Sequence, residues 1–158
     1  MTQTELLAKH FRDLYYDGDW TAPNLKDQLE GVTWQQATTQ VHGLNTIAKL
    51  VFHINYYVAG IRQVLEGGPL VIRDKYSYDM PPINSQEDWE KLLAQVWEDG
   101  KVFADLVAQM PEEQLKENVL DGKYGNYLQN VLGIIQHCFY HLGQVALIKK
   151  IVQEGKDQ

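Results

Sequence analysis

The stretch GGPLVIRDKYSYDMPPIN, residues 67–84, decides how the predicted helices of this chain are connected. It has 18 residues and contains Gly67, Pro69, Pro81 and Pro82, which interrupt helices. Extended at ~3.3 Å per residue, it spans about 59 Å. The preceding predicted helix, residues 44–66, is about 35 Å long at ~1.5 Å per residue. The stretch can therefore run back along a whole helix, and we expect the helices before and after it to be parallel neighbours.

Four segments carry apolar residues at the three- and four-residue spacing of amphipathic helices. We place these helices at residues 2–16, 44–66, 85–110 and 126–153, with a short helical turn at residues 25–30. Each long helix has an apolar stripe, and a bundle is the simplest way to bury four such stripes. The pattern therefore predicts an all-α four-helix bundle, with residues 1–158 forming one domain.

Composition excludes several classes of protein. The chain has 158 residues, a formal net charge of −7 and no long basic run, so it is poorly suited to binding nucleic acid. We find no apolar run of 18 residues and no apolar signal core at the N-terminus, so we expect no membrane segment. Cys138 is the single cysteine and cannot form an internal disulfide, which is typical of the cytoplasm.

Two histidines in the segment IIQHCFYHLGQ, residues 134–144, indicate a functional site. His137 and His141 are four residues apart, so they lie on one helix face and can bind one metal ion. Cys138 stands where zinc-protease helices carry a glutamate, which excludes that class. A third ligand is needed, and His53 is the best candidate because it lies in the middle of another predicted helix. The alternative is that all three are hydrogen-bonded core residues.

Polar residues share the helix faces of these histidines. Asn130 and Gln144 lie on the face of His137, and Tyr57 lies one turn after His53. We expect Gln144 to orient a ligand or a bound water, Tyr57 to donate a proton, and Asn130 to help position a substrate. The alternative for these three residues is ordinary packing. The Cys138 side chain lies about 100° around the helix from His137, so we expect it to face the core.

With a histidine in the second helix and HCFYHLGQ in the last, the chain resembles the DinB-like family, which is related to the YfiT-like putative metal-dependent hydrolases. The resemblance implies a bundle of up-down-down-up topology and a homodimer. It also implies a divalent metal, nickel or zinc, held by residues that correspond here to His53, His137 and His141. Relatives include thiol-dependent S-transferases that use bacillithiol or mycothiol.

Three functions follow as hypotheses from the residues and the resemblance. The first is a metal-dependent enzyme that acts on a small molecule, either a hydrolase or a thiol S-transferase. The second is a non-catalytic metal-binding or stress-related dimeric bundle. The third is a structural dimer in which the histidines are polar residues of the core. Nothing in the sequence favours hydrolysis over transfer, and the family analogy alone favours transfer.

Overall fold

The computed structural model describes residues 1–155 and consists of α-helices joined by loops. Over this range it contains no β-strand, and the prediction of an all-α helical bundle is confirmed. Four of its six α-helices are long: α1, α4, α5 and α6. The helices are α1 (Gln3–Arg12), α2 (Leu25–Leu29), α3 (Trp34–Thr38), α4 (Ile47–Leu65), α5 (Gln86–Gln109) and α6 (Tyr127–Glu154).

Each long helix begins after a polar residue that caps its first turn. The side chains of Thr2, Thr46, Ser85 and Asn126 each accept a hydrogen bond from the backbone N–H three residues later. These caps explain why the helices begin within a few residues of their predicted starts. The pair Ser85 and Asp88 differs from a complete capping box, because Asp88 accepts from the backbone N–H of Asn84.

The first helix ends differently from its prediction. We expected a regular helix to Tyr16, but the α-helical part ends at Arg12 and a π-helical turn follows over Asp13–Asp17. The backbone N–H of Gly18 closes the turn by donating to the carbonyl of Asp13. Such turns interrupt the 3.6-residue repeat without ending the helix, so periodicity alone does not reveal them.

Contacts along α1 and α5 show that these helices are antiparallel. Arg12 on α1 pairs with Asp105 on α5, and the Tyr16 hydroxyl donates to the carbonyl of Trp97. From Arg12 to Tyr16 the residue numbers rise, while their contacts on α5 fall from Asp105 to Trp97. α1 therefore runs up and α5 runs down.

α4 is antiparallel to α6 and parallel to α5. Ile47, the first residue of α4, lines a crevice with Lys149 and Val152 near the end of α6. Val32 lines the same crevice, and its carbonyl accepts a hydrogen bond from the indole of Trp89 near the start of α5. The starts of α4 and α5 therefore lie at one end of the bundle. This arrangement confirms the predicted up-down-down-up topology.

Large aromatic side chains fill the core between α1 and α5. Phe11 stacks on Tyr15 with ring centroids 4.3 Å apart, and it contacts Phe103 at 4.7 Å. Gly100 makes the close approach possible, because a Cβ atom there would lie 2.7 Å from the Tyr15 ring. The glycine that lowers helix propensity within α5 is therefore required by packing.

The loop between α4 and α5, which we call the crossover (residues 66–85), runs back along one face of α4. Ile72 lies against Gly60, where an added Cβ would come within 2.5 Å of its side chain. The Tyr56 hydroxyl accepts from the backbone N–H of Arg73 and donates to its carbonyl, at 2.8 and 3.0 Å. Gly60 thus accommodates the crossover itself, rather than a ligand or a neighbouring helix.

α6 is long and apolar enough, by length and composition, to cross a membrane, and it is the one such helix in residues 1–155. Core helices of globular bundles pass the same test, so this property alone is weak evidence for a membrane span. Residues on one of its sides, including Val131, Ile135, Leu142 and Val145, belong to the bundle core.

Candidate metal centre

The structure brings His53, His137 and His141 together in the interior of the bundle. The Nε2 atom of His137 lies 3.1 Å from the Nε2 atom of His53 and 3.1 Å from that of His141. His53 comes from α4, and the other two come from successive turns of α6. The antiparallel packing of α4 on α6 produces this convergence, because it places residues near the middle of both helices at the same depth.

Hydrogen bonds at the opposite ring nitrogens orient two of the three imidazoles. His53 Nδ1 donates to the carbonyl oxygen of Ser77 at 3.2 Å, and His141 Nδ1 donates to Gln144 Oε1 at 2.6 Å. Both partners are acceptors, so the protons reside on Nδ1 and the Nε2 lone pairs face inward. This is the arrangement of histidines that bind metals through Nε2.

The donor set fits a divalent metal ion. Two nitrogens at ~2.05 Å from an ion are about 3.3 Å apart in a tetrahedral site and about 2.9 Å apart at right angles. The observed separations of 3.1 Å lie between these values. Without a cation, the inward lone pairs of His53 and His141 can share at most one His137 proton, so one of them has no proton of its own to accept within the cluster.

The protonation states of the three histidines suit metal binding. Burial, followed by the neighbouring imidazoles of His141 and His53, lowers the pKa of His137 to about 4. Burial is also the main cause that lowers the pKa of His53 and of His141. Neutral imidazole is the form that coordinates metals, so the cluster is ready to bind an ion near pH 7. His137 Nδ1 is buried and has no hydrogen-bond partner among the described residues.

Of the three polar residues predicted near the site, Gln144 contacts a histidine through a hydrogen bond. The rings of Tyr57 and His137 form a T-shaped pair with centroids 4.8 Å apart, and the Tyr57 hydroxyl donates to Asp74 Oδ1 at 2.8 Å. Burial, together with this hydrogen bond, raises the pKa of Tyr57. The Tyr57 hydroxyl proton is therefore held by a carboxylate of the crossover.

Asn130 makes its hydrogen bonds to the backbone at the start of α6. Its amide nitrogen donates to the backbone carbonyls of Tyr124 and Asn126, at 2.9 and 2.8 Å. These bonds secure the start of α6. Asn130 nevertheless lines the same cavity as His137 and Tyr57, with its amide oxygen making no hydrogen bond within residues 1–155.

Sequence reasoning missed three residues of the crossover that surround the site. The Tyr78 ring stacks on His53 with centroids 4.0 Å apart and an interplanar angle of 8°. Ser77 supplies the carbonyl that orients His53, and Asp74 binds Tyr57. The crossover carries no periodic pattern that singles them out. The sequence feature that could have indicated them is the length of the crossover, because a loop this long can return along α4.

The remaining candidates lie outside the cluster. Cys138 is buried away from the histidines, beside Tyr15, as predicted. His10, Asp13 and Asp19 form a second group with ligand atoms within 4.8 Å of one another. Lys9 pairs with Asp13, and Asp19 accepts hydrogen bonds from Thr21, so these carboxylates already have partners.

The fold and the site define a class: a helical bundle with three inward-facing histidines that are compatible with a divalent metal ion. The model of the DinB superfamily matches residues 7–144, which include all three histidines and Gln144. The chain belongs to the DinB superfamily. No curated protein and no solved structure matched the chain.

Proposed function

We propose that this protein is a metal-dependent enzyme that acts on a small molecule, with nickel or zinc held by Nε2 of His53, His137 and His141. The observation that carries the proposal is the convergence of these three atoms, with Nδ1 of His53 and His141 engaged by acceptors. The class of reaction is either hydrolysis or transfer of a thiol to an electrophile.

The residues around the histidines have distinct parts in this proposal. A divalent ion in this site supplies Lewis-acid activation of a water molecule or a thiol. Gln144 and the Ser77 carbonyl hold two ligands in orientation. The Tyr78 ring covers one face of His53 and excludes water from it. Tyr57 and Asp74 form a hydrogen-bonded pair beside His137 that can move a proton to or from a bound molecule.

The two reactions differ in the bond that forms. In hydrolysis, the oxygen of water bonds to the acyl or other electrophilic atom, the bond to the leaving group breaks, and the leaving group takes a proton. In transfer, the sulfur of a low-molecular-weight thiol gives up its proton and bonds to carbon, the bond from that carbon to the leaving group breaks, and the leaving group departs with the electron pair. A cavity of about 590 Å³ beside His137 supports an enzyme over a protein that only stores metal.

Elemental analysis of the untagged protein tests the metal site. We expect one nickel or zinc per chain in the wild type and none in His53→Ala or His141→Ala. His42→Asn is the matched control: His42 is exposed, lies outside the cluster and has a positive φ that asparagine tolerates. Full metal content in both alanine variants contradicts the proposed site.

Two assays of the metal-loaded protein then separate the functions. Conjugation of L-cysteine to monochlorobimane reports thiol transfer, and release of 4-nitrophenol from 4-nitrophenyl acetate reports hydrolysis. We expect one of these rates to exceed that of the metal-free protein and to disappear in His141→Ala. Stoichiometric metal with neither activity favours the non-catalytic metal-binding bundle.

We also propose that the protein is a homodimer formed through the outer face of α6. No charged residue occurs between Tyr127 and Ile148, although 22% of the chain is charged. Leu132, Tyr140 and Leu147 on this face are 38%, 66% and 58% exposed. Interface cores are depleted in charge and enriched in aromatic residues, and a two-fold axis lets the same face serve both copies.

A further inference from the structure

A cavity of about 590 Å³ opens beside His137, between α4, α6 and the crossover. Its volume lies within the range of ~300–1,000 Å³ typical of small-molecule sites. Aliphatic side chains from all three elements form much of its wall: Ile61, Leu70, Ile72 and Ile134. Tyr57 and His137 line the same cavity, so a molecule bound there lies against the proposed metal centre.

Two formally charged side chains line this cavity, those of Arg73 and Asp74. The Asp74 carboxylate already accepts the hydrogen bond of the Tyr57 hydroxyl. The Arg73 guanidinium makes no ion pair or hydrogen bond with any other described residue. The cavity therefore offers an apolar wall, a carboxylate engaged by the Tyr57 hydroxyl, and one solvent-exposed guanidinium whose donors are available.

The backbone of Arg73 is held in place from both sides. The Tyr56 hydroxyl bonds both the N–H and the carbonyl of Arg73, and Ile72 packs on Gly60 immediately before it. Tyr57 holds the following residue, Asp74. Two consecutive tyrosines of α4 thus fix two consecutive residues of the crossover, which positions the arginine at the edge of the cavity.

We propose that the cavity binds the apolar, carboxylate-bearing part of the substrate, with Arg73 as the residue that recognises the carboxylate. A guanidinium matches the two oxygens of a carboxylate, and the aliphatic wall accommodates the hydrocarbon part. This inference rests on the proposed function because it names the substrate class of the same site. Binding in the cavity can nevertheless be measured without a metal.

The test compares 4-phenylbutyrate with its uncharged analogue 4-phenylbutanamide by calorimetry on the metal-free 158-residue protein. We expect the acid to bind about five- to tenfold more tightly than the amide. Arg73→Gln should bring this ratio close to one. Lys75→Gln should keep the wild-type ratio, because Lys75 lies on the same loop but does not line the cavity. A wild-type ratio near one, no binding of either compound, or an unchanged ratio in Arg73→Gln overturns the inference.

A second pair of variants tests where the probe binds. Gly133 lines the cavity, and a Cβ atom added there would meet no atom within 4 Å, so Gly133→Leu should fill space in the cavity and abolish binding of both compounds. Gly143→Leu is the matched control, because Gly143 has equal space on the same helix but lies outside the cavity. Equal loss of binding in both variants contradicts the location.

Failure of the inference and failure of the proposed function give different results. A carboxylate preference that depends on Arg73 in a protein without stoichiometric metal supports the cavity and contradicts the metal-dependent function. One metal per chain without a carboxylate preference contradicts the cavity assignment alone. Repeating the titration on zinc-loaded protein shows whether metal and probe bind at the same time.

Discussion

The rings of Tyr78 and His53 lie face to face, with centroids 4.0 Å apart and planes within 8° of parallel. Tyr78 belongs to the crossover, whereas His53 lies in the middle of α4. The crossover therefore covers one face of His53 and, through the Ser77 carbonyl, contributes directly to the orientation of this imidazole.

Tyr78→Ala should weaken metal binding while leaving the fold intact. Aromatic pairs contribute about 0.5–1.5 kcal/mol beyond burial, so we expect the dissociation constant for zinc to rise about three- to tenfold. Competition with a chromogenic chelator measures this constant. Tyr78→Phe should retain wild-type affinity because it keeps the ring, and Tyr76→Ala provides an exposed control two residues away. An unchanged affinity in Tyr78→Ala would show that the stacking is incidental.

Gln144→Leu should impair the metal site through His141. The substitution removes the acceptor of the His141 Nδ1 hydrogen bond, and loss of such a partner typically reduces metal affinity about 10–100-fold. Gln144→Glu should largely preserve affinity because it retains an acceptor oxygen. Gln136→Leu, at an exposed position of the same helix, serves as the control. Equal affinities for Gln144→Leu and the wild type would contradict a positioning role.

Two glycine-to-alanine changes should affect stability with opposite sign. In Gly100→Ala, the new methyl lies 2.7 Å from the Tyr15 ring and 2.8 Å from the Tyr16 hydroxyl, so we expect a loss of about 1–3 kcal/mol. In Gly133→Ala the methyl meets no atom within 4 Å, and improved helix propensity should add about 0.5–1 kcal/mol. Urea unfolding measures both changes. Stabilisation by Gly100→Ala would disprove the close approach of α1 and α5.

The Cys138 thiol should be unreactive in the folded protein. It is 1% exposed, and burial raises its pKa to about 12, so little thiolate is present or accessible near pH 8. We expect Ellman's reagent to label the native protein only at the rate of unfolding, and to label one thiol per chain at once in urea. Fast labelling of native protein would show that Cys138 faces solvent.

Leu147→Glu should dissociate the proposed dimer. A carboxylate on the charge-free outer face of α6 would place one unpaired charge from each copy in the proposed interface, which opposes association. Sedimentation analysis should show a monomer for this variant and a dimer for the wild type. Leu6→Glu is a matched control, because Leu6 is 57% exposed on α1 and Leu147 is 58% exposed on α6. A monomeric wild type would disprove the dimer.

The helices and the three histidines could be predicted from the sequence to a large extent. Caps such as Thr46 and Asn126 act within one helical turn, so helix starts are recognisable locally. The spacing of His137 and His141 places them on one face whatever the surrounding fold. His53 could be assigned because it lies in the middle of a second helix, and the topology then placed it at the same depth.

The contacts of the crossover could not be predicted in this way. Ser77, Tyr78 and Asp74 reach the site through pairings with α4 that are 17 to 25 residues apart in the chain, from Tyr57 to Asp74 and from His53 to Tyr78. No repeat in the loop encodes these partners. The same holds for the π-helical turn at Asp13–Asp17, which breaks the periodicity on which helix prediction depends.

By itself, the sequence determined the helical class, the starts of the long helices and the residue types able to bind a metal, because capping and side-chain periodicity act over one or two turns. The tertiary structure alone decided which atoms meet. It placed three Nε2 atoms together, enclosed one imidazole beneath Tyr78 and brought Arg73 to the edge of a cavity beside His137. These juxtapositions depend on the antiparallel packing of α4 on α6 and on the return of the crossover along α4, which are non-local.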